Sequence, residues 1–283
     1  MRRMIVILAL AVTAHAEQKN VKLLTGMTDL ELQRTMNLMR ASLGVHCDYC
    51  HVIKEEWNFA SDEKPQKQRA RQMIQMVAEL NRTQFGGRAV ISCYSCHRGS
   101  THPMNLVPLP QTAPPFPTPV AAKEELPETK AILAKYAAAL GDVTRLRTRV
   151  LVGEGTRNGK TIPIEVHQKD AEPDAFTLPL PADIGEDASV FRKEKVGDRD
   201  AWVVQKGTGK DPTYRRFYFD TESGLLLRAM LYTPRAQVGT IPQQTDFEDW
   251  RDAGGMKVPF RVRVSYVDPW SSAVRQYTSV AGE

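Results

Sequence analysis

Apolar side chains recur at helical spacing near the start of the chain, where Leu32, Met36, Met39 and Leu43 are four, three and four residues apart. They mark one face of an α-helix. Thr28 followed by Glu31 supplies a capping box at its start, and Gly44 suits a C-cap. A second helix is predicted over 65–80, with Met73, Met76, Val77 and Leu80 on one side and Lys67, Arg69 and Arg71 among its polar positions. The stretch 81–87 is expected to break it. A third helix is expected over 127–140, with Ile132, Leu133, Tyr136 and Leu140 as its stripe. Beyond it the apolar period shortens to two, and 148–152, 162–166, 201–204, 214–219, 225–232, 244–250 and 258–267 read as antiparallel strands. The run 220–224 and the pair Gly254-Gly255 read as hairpin connections. The pattern predicts an α+β chain, a helical first part followed by a β-rich curved sheet or partial barrel closed by a helix.

Seven prolines, from Pro103 to Pro119, interrupt the two parts. Such a segment stays extended and resists helix or central strand. The expected organisation is therefore a helical domain over 17–104, a proline-rich linker over 105–126 and a β-rich domain over 127–283. Ahead of these, Arg2 and Arg3 precede an apolar run over 4–12, and Ala14-His15-Ala16 offers an A-x-A cleavage site. Residues 1–16 thus read as a secretory signal, which places the mature chain, from Glu17, in the periplasm. The apolar run is too short to span a bilayer, so no transmembrane segment is expected in the mature chain.

All four cysteines lie in two copies of one pattern, Cys47-Asp48-Tyr49-Cys50-His51 and Cys93-Tyr94-Ser95-Cys96-His97. C-x-x-C-H is the attachment signal of covalent haem c. Two thiols three positions apart each form a thioether to one porphyrin, and the adjacent imidazole reaches its iron. Two covalently bound haems c are the cofactors expected. The four cysteines could also close a tetrahedral zinc site, but zinc does not require a histidine after both pairs. A thioredoxin-like motif would need one pair and a βαβ pattern, which the strand rhythm does not offer. The formal charge of +5 falls to +3 without Arg2 and Arg3, and the propionates of two haems cancel it. The basic balance therefore does not point to nucleic acid.

A haem iron needs a second axial ligand, and a methionine thioether opposite histidine raises the reduction potential. Met36 and Met39 are candidates for the first haem, Met73 and Met76 for the second. Core packing is the competing role for each of them.

These residues carry a resemblance. Thr35-Met36-Asn37-Leu38-Met39, Ser42-Leu43-Gly44-Val45, Lys64-Pro65, the run 70–76, Phe85-Gly86-Gly87 and 93–99 resemble the photosynthetic reaction centre cytochrome c subunit family over about residues 20–104. The resemblance implies that the first methionine of each pair is the sixth ligand, Met36 with His51 and Met73 with His97, and that Met39 and Met76 pack around the rings. Members attached to reaction centres typically carry four haems, whereas this chain has two motifs, like the shortened diheme members of non-photosynthetic acidobacteria. A photosynthetic role is therefore not implied. The C-terminal part, through 219–225, 246–250 and 258–260, weakly resembles lipoprotein-sorting chaperones of the bacterial envelope, in which an open barrel wraps a helix.

Other side chains have two roles open to them. His46 and His167 read as surface histidines, and His102 as an alternative axial ligand. Arg98 suits a propionate partner or a solvated loop, and Trp57 a haem edge or the core. The function expected is outer-sphere electron transfer by a periplasmic diheme cytochrome with redox donor and acceptor partners, including a membrane-bound complex. It is expected not to be an enzyme. The rivals are a diheme peroxidase-like enzyme or oxidoreductase subunit, which needs an open axial site, and a haem sensor with a ligand-binding C-terminal domain, which needs an apolar pocket there.

Overall fold

The computed structural model describes residues 19–103, 125–143, 148–169 and 174–282. The expected signal over 1–16 and nearly all of the proline-rich linker lie outside them. No helix among the described residues is long and apolar enough to cross a membrane.

Helix α1 (Asp29–Leu43) starts where its capping box predicts: Thr28 Oγ1 accepts from the Glu31 N–H, and the Glu31 carboxylate accepts from the Thr28 N–H at 2.9 Å. It ends at Gly44, whose left-handed φ of 67° a side chain would strain. A short hairpin, β1 (Val52–Ile53) and β2 (Trp57–Asn58), leads to α2 (Pro65–Gln84). This helix runs a turn past the expected break at Asn81. The reason is that Asn81 is fully buried and spends its amide on other segments, donating to the carbonyls of Ile91 (2.8 Å) and Ala236 (2.9 Å) and accepting from the N–H groups of Val90 and Ile91. An asparagine so engaged does not compete for its own helix's backbone. A single helical turn, α3 (Cys93–His97), follows.

Helix α4 (Thr129–Leu140) precedes nine antiparallel strands and the short α5 (Pro181–Ile184). The strands are β3 (Thr148–Arg157), β4 (Lys160–Lys169), β5 (Ser189–Val196), β6 (Arg199–Lys206), β7 (Tyr214–Asp220), β8 (Leu226–Arg235), β9 (Gly239–Asp252), β10 (Lys257–Ser265) and β11 (Ala273–Gly282). They form one sheet in the order β4-β3-β11-β10-β9-β8-β7-β6-β5. The sheet is open, with β4 and β5 at its edges, so it is a curved sheet and not a closed barrel. Strands β5 and β11 have no counterpart in the apolar pattern. No residue of β5 is buried, because it is an edge strand held by its ladder to β6, and the alternation of β11 is interrupted by a bulge near Tyr277. Asn158 and Gly159, both at positive φ, close the β3–β4 hairpin, and Gly254 and Gly255 the β9–β10 hairpin.

One face of the sheet is filled by α4. Ile132, Leu133, Tyr136 and Leu140 are all buried, in one cluster with Ile184, Phe217, Phe219, Leu226, Phe247 and Val262. Tyr136 donates its hydroxyl to the Pro179 carbonyl at 2.8 Å, and burial pushes its pKa well up.

The two parts meet at the β8–β9 turn. Val238, fully buried at its tip, packs in one cluster with Leu24, Leu38, Ile74 and Ile241. Its carbonyl accepts from the Cys93 N–H at 3.4 Å, and Thr240 donates to the Ala89 carbonyl at 3.3 Å. Gly239, at φ 105°, has no room for a side chain, since an added Cβ would lie 2.2 Å from Ser92 Cβ.

Replacing Asn81 by alanine removes the partner of two N–H groups and two carbonyls in a part-buried site. Asn81→Ala is expected to lower stability by about 3 kcal/mol, measured as a fall in the denaturant midpoint at unchanged m-value.

Candidate cofactor site

Each C-x-x-C-H motif closes one helical turn, which turns the cysteines and the histidine to the same side. In the first, Cys47–Tyr49 form a 3-10 turn and the His51 N–H reaches the Cys47 carbonyl at 3.0 Å. In the second, Ser92 caps α3, its N–H donating to Ser95 Oγ at 3.0 Å. All four cysteines are free; Cys47 and Cys96 are exposed, while Cys50 and Cys93 are half-buried with thiol pKa values raised by that burial. No group of three or more histidine, cysteine or acidic side chains that could hold a metal ion occurs among the described residues, so the cysteines do not converge on a zinc tetrahedron.

The two histidines are held differently. His97 Nδ1 lies 2.9 Å from the Ser100 carbonyl. A carbonyl can only accept, so Nδ1 carries the proton and Nε2 keeps its lone pair for a metal. His51 sits edge-on to Phe59, with ring centroids 5.1 Å apart. Burial lowers its pKa, and the charges of Lys67 and Lys64 lower it further against a hydrogen bond with the Phe59 backbone.

The two motifs are packed together through glycines beside them. The Gly99 N–H, two residues after His97, donates to the Ser42 carbonyl at 2.8 Å. A Cβ on Gly44, three residues before Cys47, would lie 2.1 Å from the Gly99 carbonyl oxygen. Only glycine lets the backbone leaving α1 come this close to the segment leaving α3.

The methionine stripes differ from ordinary core faces. On α1 the buried face is Thr35, Leu38 and Ser42, while Leu32, Met36, Met39 and Leu43 are all half-buried. On α2 the buried face is Ile74, Val77 and Asn81; Met73 is half-buried, Met76 and Leu80 exposed. Of the expected α2 face, then, only Val77 is core. Exposed aromatic and aliphatic side chains also follow the first motif: Tyr49, Ile53, Trp57 and Phe59, with Trp57 stacked on Phe59 at 5.3 Å. Trp57 is therefore not a core residue. Uncovered apolar surface beside free cysteines and a histidine with its Nε2 lone pair available fits a flat apolar ring system attached at both motifs.

The remaining candidates are peripheral. His46 is exposed; His102 is exposed beside Thr101 at 3.2 Å; and Arg98, at φ 49°, is an exposed cap of α3. His167 pairs with Glu165 on the edge strand at 2.9 Å.

One cluster escaped the sequence pattern. Asp62 binds Arg71 at 2.9 Å, Lys67 at 3.2 Å, Lys22 at 3.3 Å and Asn20 at 2.8 Å. Lys67 also donates to the carbonyls of Phe59, Ala60 and Ser61. Lys67 and Arg71 are thus interior anchors of the loop that carries Phe59 to His51. The bond from Arg71, ahead of those from Lys67, Lys22 and Asn20, holds the Asp62 carboxyl far below the usual carboxylate range. Nothing local marks Asp62, because its partners are up to 42 residues away.

Comparison with known proteins bears out the resemblance. Residues 7–139 match the family model of the photosynthetic reaction centre cytochrome C subunit. Cytochrome c-554 of Chloroflexus aurantiacus is 38% identical over 94 residues, which are 31% of this chain and 21% of that protein. The photosynthetic reaction center cytochrome c subunit of Rubrivivax gelatinosus is 33% identical over 92 residues, 31% of this chain and 24% of that one. The chain thus spans between a fifth and a quarter of the length of these curated relatives. Among solved structures, a LolA superfamily protein from Nitrosomonas europaea covers 56% of this chain and 94% of its own, at 13% identity and a TM-score of 0.39. A DUF1329 family protein from Desulfovibrio piger covers 55% and 93%, at 14% identity and a TM-score of 0.37.

The Asp62 cluster sets a pH dependence. Its folded pKa lies below the ordinary value of 3.8, so its contribution is complete above about pH 4 and is lost as the pH falls further. Asp62→Asn is expected to lower the melting temperature at pH 6, with the gap to wild type narrowing steadily below pH 4 in thermal melts.

Proposed function

We propose that this chain is a periplasmic diheme c-type cytochrome that carries electrons between a redox donor and an acceptor. The single observation that carries this reading is the pair of C-x-x-C-H turns, each with free cysteines beside half-covered apolar side chains. The match of residues 7–139 to the cytochrome family model supports it. Haem c, when bound, supplies a one-electron iron couple. Cys47 and Cys50 would hold the first haem through thioethers, and Cys93 and Cys96 the second. His51 and His97 would each supply a nitrogen ligand, and Met36 and Met73 a sulfur ligand. A methionine thioether would favour the ferrous state and raise the potential, and the Ser100 carbonyl orients the His97 ring with Nε2 left to bind. The Gly44–Gly99 contact holds the two motifs side by side, as transfer from one to the other needs.

Residues 1–16 act as the export signal, 17–104 bind the haems, 105–126 link, and 127–283 form the β-rich part. The partners are donor and acceptor proteins, among them a membrane-bound complex. One of these relatives is named as a reaction center subunit, but this chain matches only a quarter of it, and a photosynthetic partner is not part of the proposal. A lipophilic-ligand sensor is disfavoured, because Tyr136, Leu140 and Ile184 fill the sheet face under α4 and the cavity beside α1 carries the charged Glu31, Arg34, Arg235 and Asp268.

Intact-mass analysis of periplasmic protein is expected to give residues 17–283 plus two haem masses that survive acid extraction; one haem, or a zinc adduct, overturns the reading. Ligation is tested separately, since an electron carrier needs both irons six-coordinate and low-spin. Met36→Ala and Met73→Ala are each expected to turn one haem high-spin and open it to carbon monoxide. Met39→Ala should leave both methionine-to-iron charge-transfer bands intact at a stability cost of about 1–2 kcal/mol. A wild-type haem that is already high-spin and binds carbon monoxide would favour the peroxidase-like alternative.

A further inference from the structure

We propose that the β10–β11 loop is a clamp that positions Met36, so that this loop sets the axial ligation of the first haem and not that of the second. This inference rests on the reading of Met36 as a haem ligand. The observation behind it is a row of contacts at every third residue along α1. Glu31 pairs with Arg235 at the end of β8. The Arg34 guanidinium lies over the Tyr266 ring at 5.3 Å, Asn37 Nδ2 donates to Asp268 Oδ2 at 2.8 Å, and the Arg40 guanidinium lies over Trp270 at 4.1 Å.

Three of these four grips come from one loop, and that loop is braced from within. Asp268 is buried, its Oδ1 accepts from the Ser271 N–H at 2.7 Å, and Ser272 Oγ bridges the Asp268 carbonyl and the Tyr266 N–H. Beneath this side of α1 lies a cavity of about 330 Å³, lined by Arg34, Asn37, Tyr266 and Asp268 among others. Close packing is therefore not what fixes this side of the helix. The side-chain contacts do so.

Asn37 directly follows Met36, about 100° further round the helix. Holding Asn37 holds the direction in which Met36 projects. A methionine sulfur lies roughly 6 Å from the helix axis, so a rotation of about 20° would carry it about 2 Å. An axial thioether bond does not survive such a shift. The polar and ring contacts of the loop are all to α1, whereas the stripe bearing Met73 is on α2, which the sheet meets at the separate β8–β9 turn, so the second haem is the comparison that separates loss of the clamp from general loosening.

The test uses the full-length diheme protein and reads the methionine-to-iron charge-transfer band, carbon monoxide binding and the redox titration of each haem. In a Met73→Ala background, where only the first haem keeps a methionine, Asn37→Ala and Tyr266→Ala are each expected to lower the band by half or more, to increase carbon monoxide binding and to shift the midpoint of the first haem. In a Met36→Ala background the same substitutions should leave the remaining band unchanged. An unchanged band in the Met73→Ala background overturns the clamp while the ligand assignment stands, provided Met36→Ala abolishes that band. Equal losses in both backgrounds also overturn it, since they would mean general loosening. A band that survives Met36→Ala in the Met73→Ala background removes the ligand assignment and the clamp with it. Should Tyr266→Ala fail to fold, Asn37→Ala decides alone, because it leaves the loop's own bonds in place.

Discussion

The tip of the β8–β9 turn is the contact on which the arrangement of this protein depends. Val238 is the residue of the sheet that enters the helical part most completely, and it does so between Leu24, Leu38 and Ile74. Around it the turn serves several segments at once: Ala236 accepts from Asn81 on α2, Val238 accepts from the first cysteine of the second motif, and Arg235 pairs with Glu31 on α1. A helical part this small has little core of its own. Docking a rigid sheet hairpin into it supplies the missing burial and fixes α1, α2 and the second motif relative to one another.

This explains an oddity in the helices. Their fully buried faces include Thr35, Ser42 and Asn81, polar residues, while the more apolar methionine stripes remain half-covered. Each buried polar group has a partner: Thr35 donates to the Met27 sulfur at 3.6 Å, Ser42 to the Leu38 carbonyl at 2.7 Å, and Asn81 ties α2 to 90–91 and 236. The methionine stripe of α1 packs only in part against Leu24, Leu38, Ile74, Val238 and Ile241, and Met76 and Leu80 on α2 stay exposed. The polar and apolar sides are therefore assigned by what each must touch, not by hydrophobicity alone.

The same economy places the two motifs. Glycine at 44 removes the side chain that would push the end of α1 away from the Gly99 backbone after α3. The Asp62 cluster then anchors the loop carrying Phe59 onto His51. Each motif is thus local in sequence, but its surroundings come from far along the chain.

That distinction divides what was legible in the sequence from what was not. The capped start and glycine end of α1, the buried stripe of α4, the turns at 220–224 and 254–255 and the two C-x-x-C-H turns depend on neighbours within a few residues, and the sequence alone determined them. Tertiary structure decided the rest, because the partners are remote. It made Asn81 a helix-interior tie and Lys67 and Arg71 interior anchors, turned Trp57 outward, and formed β5 and β11 from ladders to neighbouring strands where no apolar alternation announced them. It also kept the sheet open and joined it to α1 through Asn37 and Asp268, residues 231 positions apart, for which no periodicity within a helix or a strand could provide a signal.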